Sequence, residues 1–110
     1  MATTYKNAQI QGTAAVGTYT TLYSTGSTVT AVISSILITN TAASSATYRI
    51  AIMGTAGTPS AAEWIVYDST ASANDTLCLT LGLTLSSNQY LRVSSSANTV
   101  TFSAYISELS

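Results

Sequence analysis

Ten consecutive residues, Thr76-Leu-Cys-Leu-Thr-Leu-Gly-Leu-Thr-Leu85, alternate leucine with small side chains at a period of two. Successive side chains of a strand face opposite sides. A strand here places Leu77, Leu79, Leu81, Leu83 and Leu85 on one buried face, with Thr76, Cys78, Thr80, Gly82 and Thr84 opposite. On a helix the same leucines would scatter around the axis. This segment commits the chain to β structure.

The same period recurs elsewhere. In Thr47–Met53, Tyr48, Ile50 and Ile52 share a face, with Thr47, Arg49 and Ala51 opposite. In Thr99–Ser107, Val100, Phe102, Ala104 and Ile106 point inward, and Thr101, Ser103, Tyr105 and Ser107 outward. The run Thr28–Asn40 begins with Val29, Ala31 and Ile33 in phase, then shifts to Ile36 and Ile38. A slip at Ser34-Ser35 predicts either a β-bulge or a strand buried on both faces. Gln9–Ala14, Tyr19–Ser24, Glu63–Asp68 and Tyr90–Ser95 are shorter strand candidates. The breaks carry turn residues: Ser24–Ser27, Asn40–Ser45, Gly54–Ser60 with Pro59, Ser69–Asp75, Ser86–Asn88 and Ser96–Asn98. The nearest approach to a helix is about one turn at Ser60–Trp64. The expectation is therefore an all-β, single-domain antiparallel β-sandwich, jelly-roll-like, of about eight strands over residues 1–110, with a closed barrel as the alternative. Residues 1–17 are read as an N-terminal arm or first strand.

Composition narrows the function. The 110 residues include three Lys+Arg, four Asp+Glu, no His and one Cys. Nucleic acid binding needs clustered cations, and a zinc site needs His and Cys, so neither partner is expected. A Ser nucleophile lacks a His base, and nothing around Lys6 resembles a Ser-Lys motif. No cofactor, metal or catalytic residue is assigned, and the chain is read as a non-enzyme. The first residues carry no apolar leader segment, and the longest apolar stretch, Val29–Ile38, is too short to span a membrane.

Of the four carboxylates, Asp68 and Asp75 flank one loop, and Asp75 after Asn74 reads as a turn cap. Cys78 reads as a small residue on a sheet face. Asn74-Asp-Thr76 matches a glycosylation sequon and marks an exposed loop. Arg49 and Arg92 point outward; they either pair with Glu63 or Asp68 across strands or anchor a partner. Tyr19, Tyr23, Tyr67 and Tyr105 join them as candidate interaction residues, since tyrosine on a polar surface suits protein contacts or sugar stacking. Trp64 is either the chief contact residue or a core residue.

The surface itself is informative. Thr and Ser fill 37 positions, where an ordinary domain would carry charge for solubility and to guard its sheet edges. A neutral Thr/Ser surface suits a subunit packed among copies or partners, so a homo-oligomer or a component of a larger assembly is expected.

Thr21-Leu-Tyr23, Val32–Ile36, Ile38-Thr-Asn40, Ala46–Ile52, Tyr67-Asp68, Ala73–Thr76, Gly82–Leu85 and Thr101–Ile106 follow one another along the chain. This ordered set resembles a group of small virion structural proteins of tailed bacteriophages, including phages of marine cyanobacteria. The resemblance covers Tyr19 to Glu108. It implies a small β-sandwich module on the outside of the particle, either decorating the capsid as a cement protein or forming part of a tail or fibre that contacts a host-surface glycan. The implied partners are other copies of the chain and virion proteins such as the major capsid protein. The implied setting is the virion, assembled in the host cytoplasm.

Overall fold

The computed structural model describes residues 3–54, 59, 61–80 and 82–109. The period-two segments form the strands β1 (Thr3–Gln11), β2 (Thr20–Ser24), β3 (Thr30–Asn40), β4 (Ala46–Met53), β5 (Trp64–Ala71), β6 (Asp75–Leu79), β7 (Leu83–Leu85), β8 (Tyr90–Ser95) and β9 (Val100–Leu109). Among the described residues one 3-10 turn, Ala61–Glu63, precedes β5 and lies against β4. One antiparallel sheet runs β1-β9-β3-β6, with β7 beside β6 on the same edge of β3. The other runs β2-β8-β4-β5. Counting β6 and β7 as one interrupted strand gives two four-stranded sheets, and the chain changes sheet at nearly every connection. That strand order is a jelly roll.

Alternation places the core. Ile33, Ile36 and Ile38 of β3, Tyr48 and Ile50 of β4, Leu91 and Val93 of β8, and Val100, Phe102, Ala104 and Ile106 of β9 are all buried between the sheets. Each large side chain buried this way contributes roughly 1.5–3 kcal/mol. Tyr48 meets Phe102 edge to face at 6.2 Å, joining the sheets at their centre. The slip in β3 is a β-bulge: its pairing with β9 shifts between Ile33 and Ser35, which lets Ile33 and Ile36 both face inward.

Two expectations are corrected. The first strand is Thr3–Gln11, not Gln9–Ala14; it ends where Gly12 lies too close to β9 for any side chain. The run Thr76–Leu85 is not one buried strand. Leu77, Leu79, Leu83 and Leu85 pair with inward positions of β3, but they lie at a sheet edge, and only Leu85 is fully buried. Leu77 is 40% exposed. The strand breaks before Gly82, whose φ of 60° is a left-handed conformation that glycine adopts without strain. Leu81, and all of the Gly54–Ser60 connection except Gly54 and the buried Pro59, lie outside the described residues.

Asn40 ends β3 on the inward side and is 1% exposed. Its Nδ2 donates to the carbonyls of Ser44 (2.9 Å) and Ala71 (3.0 Å). Its Oδ1 accepts from Ala42 N (3.0 Å) and Thr99 Oγ1 (3.2 Å). One amide thus ties the β3–β4 turn to β5 and to the approach to β9.

Candidate interaction surfaces

The outer face of the β2-β8-β4-β5 sheet gathers most of the candidate residues. Arg49 projects from β4 and Asp68 from the edge strand β5. Asp68 adopts a left-handed φ of 54° where the pairing of β5 with β4 shifts register. Arg49 Nε lies 2.6 Å from Asp68 Oδ1, and Nη2 lies 3.0 Å from Oδ2, a bidentate pair. Arg49 Nη1 also donates to Tyr19 Oη at 3.2 Å. The guanidinium stacks 4.1 Å from the Tyr67 ring centroid and 5.4 Å from Trp64. Trp64 meets Tyr67 at 4.9 Å edge-on and Tyr19 at 5.7 Å. Arg92, on the neighbouring strand, donates to Thr21 Oγ1 (3.0 Å) and to the Tyr19 carbonyl (3.2 Å). The hydrogen bond from Arg49 holds the Asp68 carboxyl below its ordinary range, and the same bond raises the guanidinium.

Of the two roles open to Arg49, the cross-strand pair with Asp68 is the one the structure contains. Trp64 is half-buried, whereas Tyr67 is 57% exposed and Ile65 beside it 39%. Beneath this cluster, Ala51 and Met53 point away from the main core yet are buried. This sheet is therefore covered on both faces along β4.

Tyr23 and Tyr105 lie elsewhere. Tyr23 donates a short hydrogen bond to Glu108 Oε2, and Lys6 Nζ lies 3.1 Å from Glu108 Oε1. The three side chains link β2 of one sheet to β1 and β9 of the other. The bond from Tyr23, then Lys6, lowers the Glu108 carboxyl; burial, then Glu108, raises the Tyr23 phenol. The sequence reading missed this cluster. Its signal was parity, since Glu108 continues the inward series Phe102, Ala104, Ile106.

Tyr105 lies on the outer face of the β1-β9-β3-β6 sheet, and strand register maps that face in rows. The first row is Thr30, Leu109, Thr3. The second is Thr84, Val32, Ser107, Tyr5. The third is Ser35, Tyr105, Asn7. The fourth is Cys78, Leu37, Ser103, Gln9. The last is Thr76, Thr39, Thr101, Gln11. No row contains a charged residue. Arg49, Arg92 and Asp68 are on the other sheet, Glu63 is in the 3-10 turn, Asp75 opens β6 opposite inward-facing Asn40, and Lys6 and Glu108 hold inward register positions, with Lys6 half exposed at the β1 edge. Tyr5 is 80% exposed. Tyr5, Val32, Tyr105 and Leu109 are the exposed large apolar residues of this face, and they adjoin one another around Ser107.

Comparison of the chain with protein-family models, with curated proteins and with solved structures gave no match.

Proposed function

We propose that this chain is a non-enzymatic structural protein of a multi-copy particle, acting as a decoration or cement module on the surface of a tailed bacteriophage capsid. The observation that carries the reading is the sorting of charge. None of the seven charged residues occupies an outward position of the β1-β9-β3-β6 sheet, and those positions hold Thr, Ser, Tyr, Gln and Asn together with Val32, Leu37, Leu109 and Cys78. A face without ions is desolvated on packing without stranding a charge, whose burial is costly. A cement module works by binding the assembled state and shifting the equilibrium toward it. Jelly rolls recur among viral capsid and lectin domains, which fits the reading only as a likeness of fold. The sequence resemblance to phage virion proteins supplies the setting, and assembly in the host cytoplasm and residence in the virion follow from it.

Quantitative mass spectrometry of purified particles tests this. The expected result is a copy number comparable to that of the major capsid protein, with particles lacking the chain losing integrity at lower temperature. A few copies confined to the tail would refute the capsid role. That outcome would favour a second reading, a tail or fibre appendage that contacts a host-surface glycan through exposed Tyr67 and Ile65 beside Trp64. Under the second reading, added purified chain blocks adsorption, and host polysaccharide changes Trp64 fluorescence.

A further inference from the structure

We propose that the uncharged face of the β1-β9-β3-β6 sheet is a self-complementary interface, at which a second copy of this chain packs face to face about a two-fold axis near Ser107. The inference rests on the assembly reading above and names the partner of that face.

Three observations select a second copy. The first is charge. In a two-fold interface each patch meets itself, so any charged residue near the axis faces its own like charge. This face carries none, whereas the outer face of the other sheet carries Arg49, Arg92 and Asp68. A partner recognised by charge would find nothing to pair with here; an identical neutral face is the matching surface. The second is the layout. Tyr5, Val32, Tyr105 and Leu109 form an apolar patch around Ser107 across the first three rows, flanked by Thr3, Thr30, Asn7 and Ser35. An aromatic and apolar patch bordered by uncharged polar residues is common anatomy for a protein interface. The third is size. Nine residues of strand length by four strands gives about 30 Å by about 19 Å, a footprint of roughly 570 Å² before side-chain relief is added. A standard interface buries about 800 Å² of accessible surface per partner, so the whole face with its projecting tyrosines is of the right order. Two sheets packed this way lie about 10 Å apart with strands within about 30° of each other.

Sedimentation equilibrium of the purified chain provides the test. The expected species at micromolar concentration is a dimer, twice the 11.3 kDa chain mass. Ser107→Lys places two like charges at the axis and weakens the dimer by about 100-fold or more, because juxtaposed like charges across an interface cost several kcal/mol. Its circular dichroism remains that of the parent fold, since Ser107 points outward. Ser107→Glu alone is likewise monomeric, and an equal mixture of the two variants restores the dimer. Thr70→Lys, on the opposite sheet, leaves the dimer intact. A parent chain that stays monomeric at the highest attainable concentration overturns the proposal, and so does a dimer that survives Ser107→Lys or breaks with Thr70→Lys. A monomeric chain still found at high copy number in particles would leave the structural role standing and remove only this pairing.

Discussion

Gly12 and Gly17 flank the same connection between the sheets, and the structure gives a single added methyl opposite effects at the two positions. Gly12 follows β1 directly and donates its N–H to the Val100 carbonyl at 2.6 Å. A Cβ built there falls onto Ser95 Oγ and lies 2.5 Å from Val100 O and 3.2 Å from Phe102 Cε1. The Ser95 hydroxyl cannot simply turn away, because it holds the Thr13 carbonyl at 2.8 Å and the Ala97 carbonyl at 2.9 Å. Val100 O is main chain at the start of β9, so relieving that clash pulls on the Gly12–Val100 bond. Overpacking of this kind costs about 1–3 kcal/mol, and a disrupted hydrogen bond adds about 1 kcal/mol. Gly12→Ala is therefore expected to destabilise by about 2–4 kcal/mol, which for a domain of this length lowers Tm by roughly 8–16 °C. Gly17 has no heavy atom within 4 Å of an added Cβ, and its φ lies outside the left-handed region. Gly17→Ala should stabilise by about 0.4–1 kcal/mol, through a less flexible unfolded chain. Thermal unfolding followed by circular dichroism, at a concentration held constant across variants, measures both. A Gly12→Ala variant within about 2 °C of the parent, or equal losses at the two sites, would refute the reasoning.

Asn40→Ala strands the buried carbonyls and N–H that its amide serves; at about 1–3 kcal/mol per stranded group, a loss of roughly 3 kcal/mol is expected, read as a lower denaturation midpoint at unchanged slope. Glu108 and Asp68 both have lowered folded-state pKa values, so their contribution is complete above the ordinary carboxyl range and is lost as pH falls through the lowered values. Glu108→Gln should therefore flatten the fall in Tm below about pH 4.5, and identical pH profiles for parent and variant would contradict the assignment. Arg49→Lys removes the planar group that lies over Tyr67 and beside Trp64, so emission from Trp64, the only tryptophan, should shift to the red. Unchanged emission would mean that the stack does not shield the indole.

Much of the fold was legible because alternation fixes the face of every strand residue. The inward sets of β3, β4 and β9 were readable in this way, and the bulge was one of the two readings of the slip at Ser34-Ser35. Alternation does not say which strands lie at an edge, so the leucines of β6 and β7 were given more burial than they have. Nor does it mark a strand whose inward side is only partly apolar, as where Thr4 and Lys6 hold inward positions. Thr3–Gln11 escaped recognition for that reason, with only Ala8 and Ile10 apolar on its inward side. The cluster around Arg49 was half legible: its members were named singly, and one of two cross-strand carboxylates was the right partner. What assembled it was the register shift at Asp68, a backbone event without a sequence pattern. The Tyr23–Glu108 contact joins residues on opposite sheets, and only the topology brings them together.

The place of β9 in its sheet has a consequence for how the protein is made. β9 is the last strand in sequence, yet it is an interior one, filling the gap between β1 and β3. During synthesis neither of those strands has this neighbour until Val100 and the residues after it have been added. Of the strand pairs, only β4 and β5 join consecutive strands, so little of either sheet can be secured early. Pairing that waits on distant segments is slow. β1 and β3 therefore stay unjoined until β9 has been made.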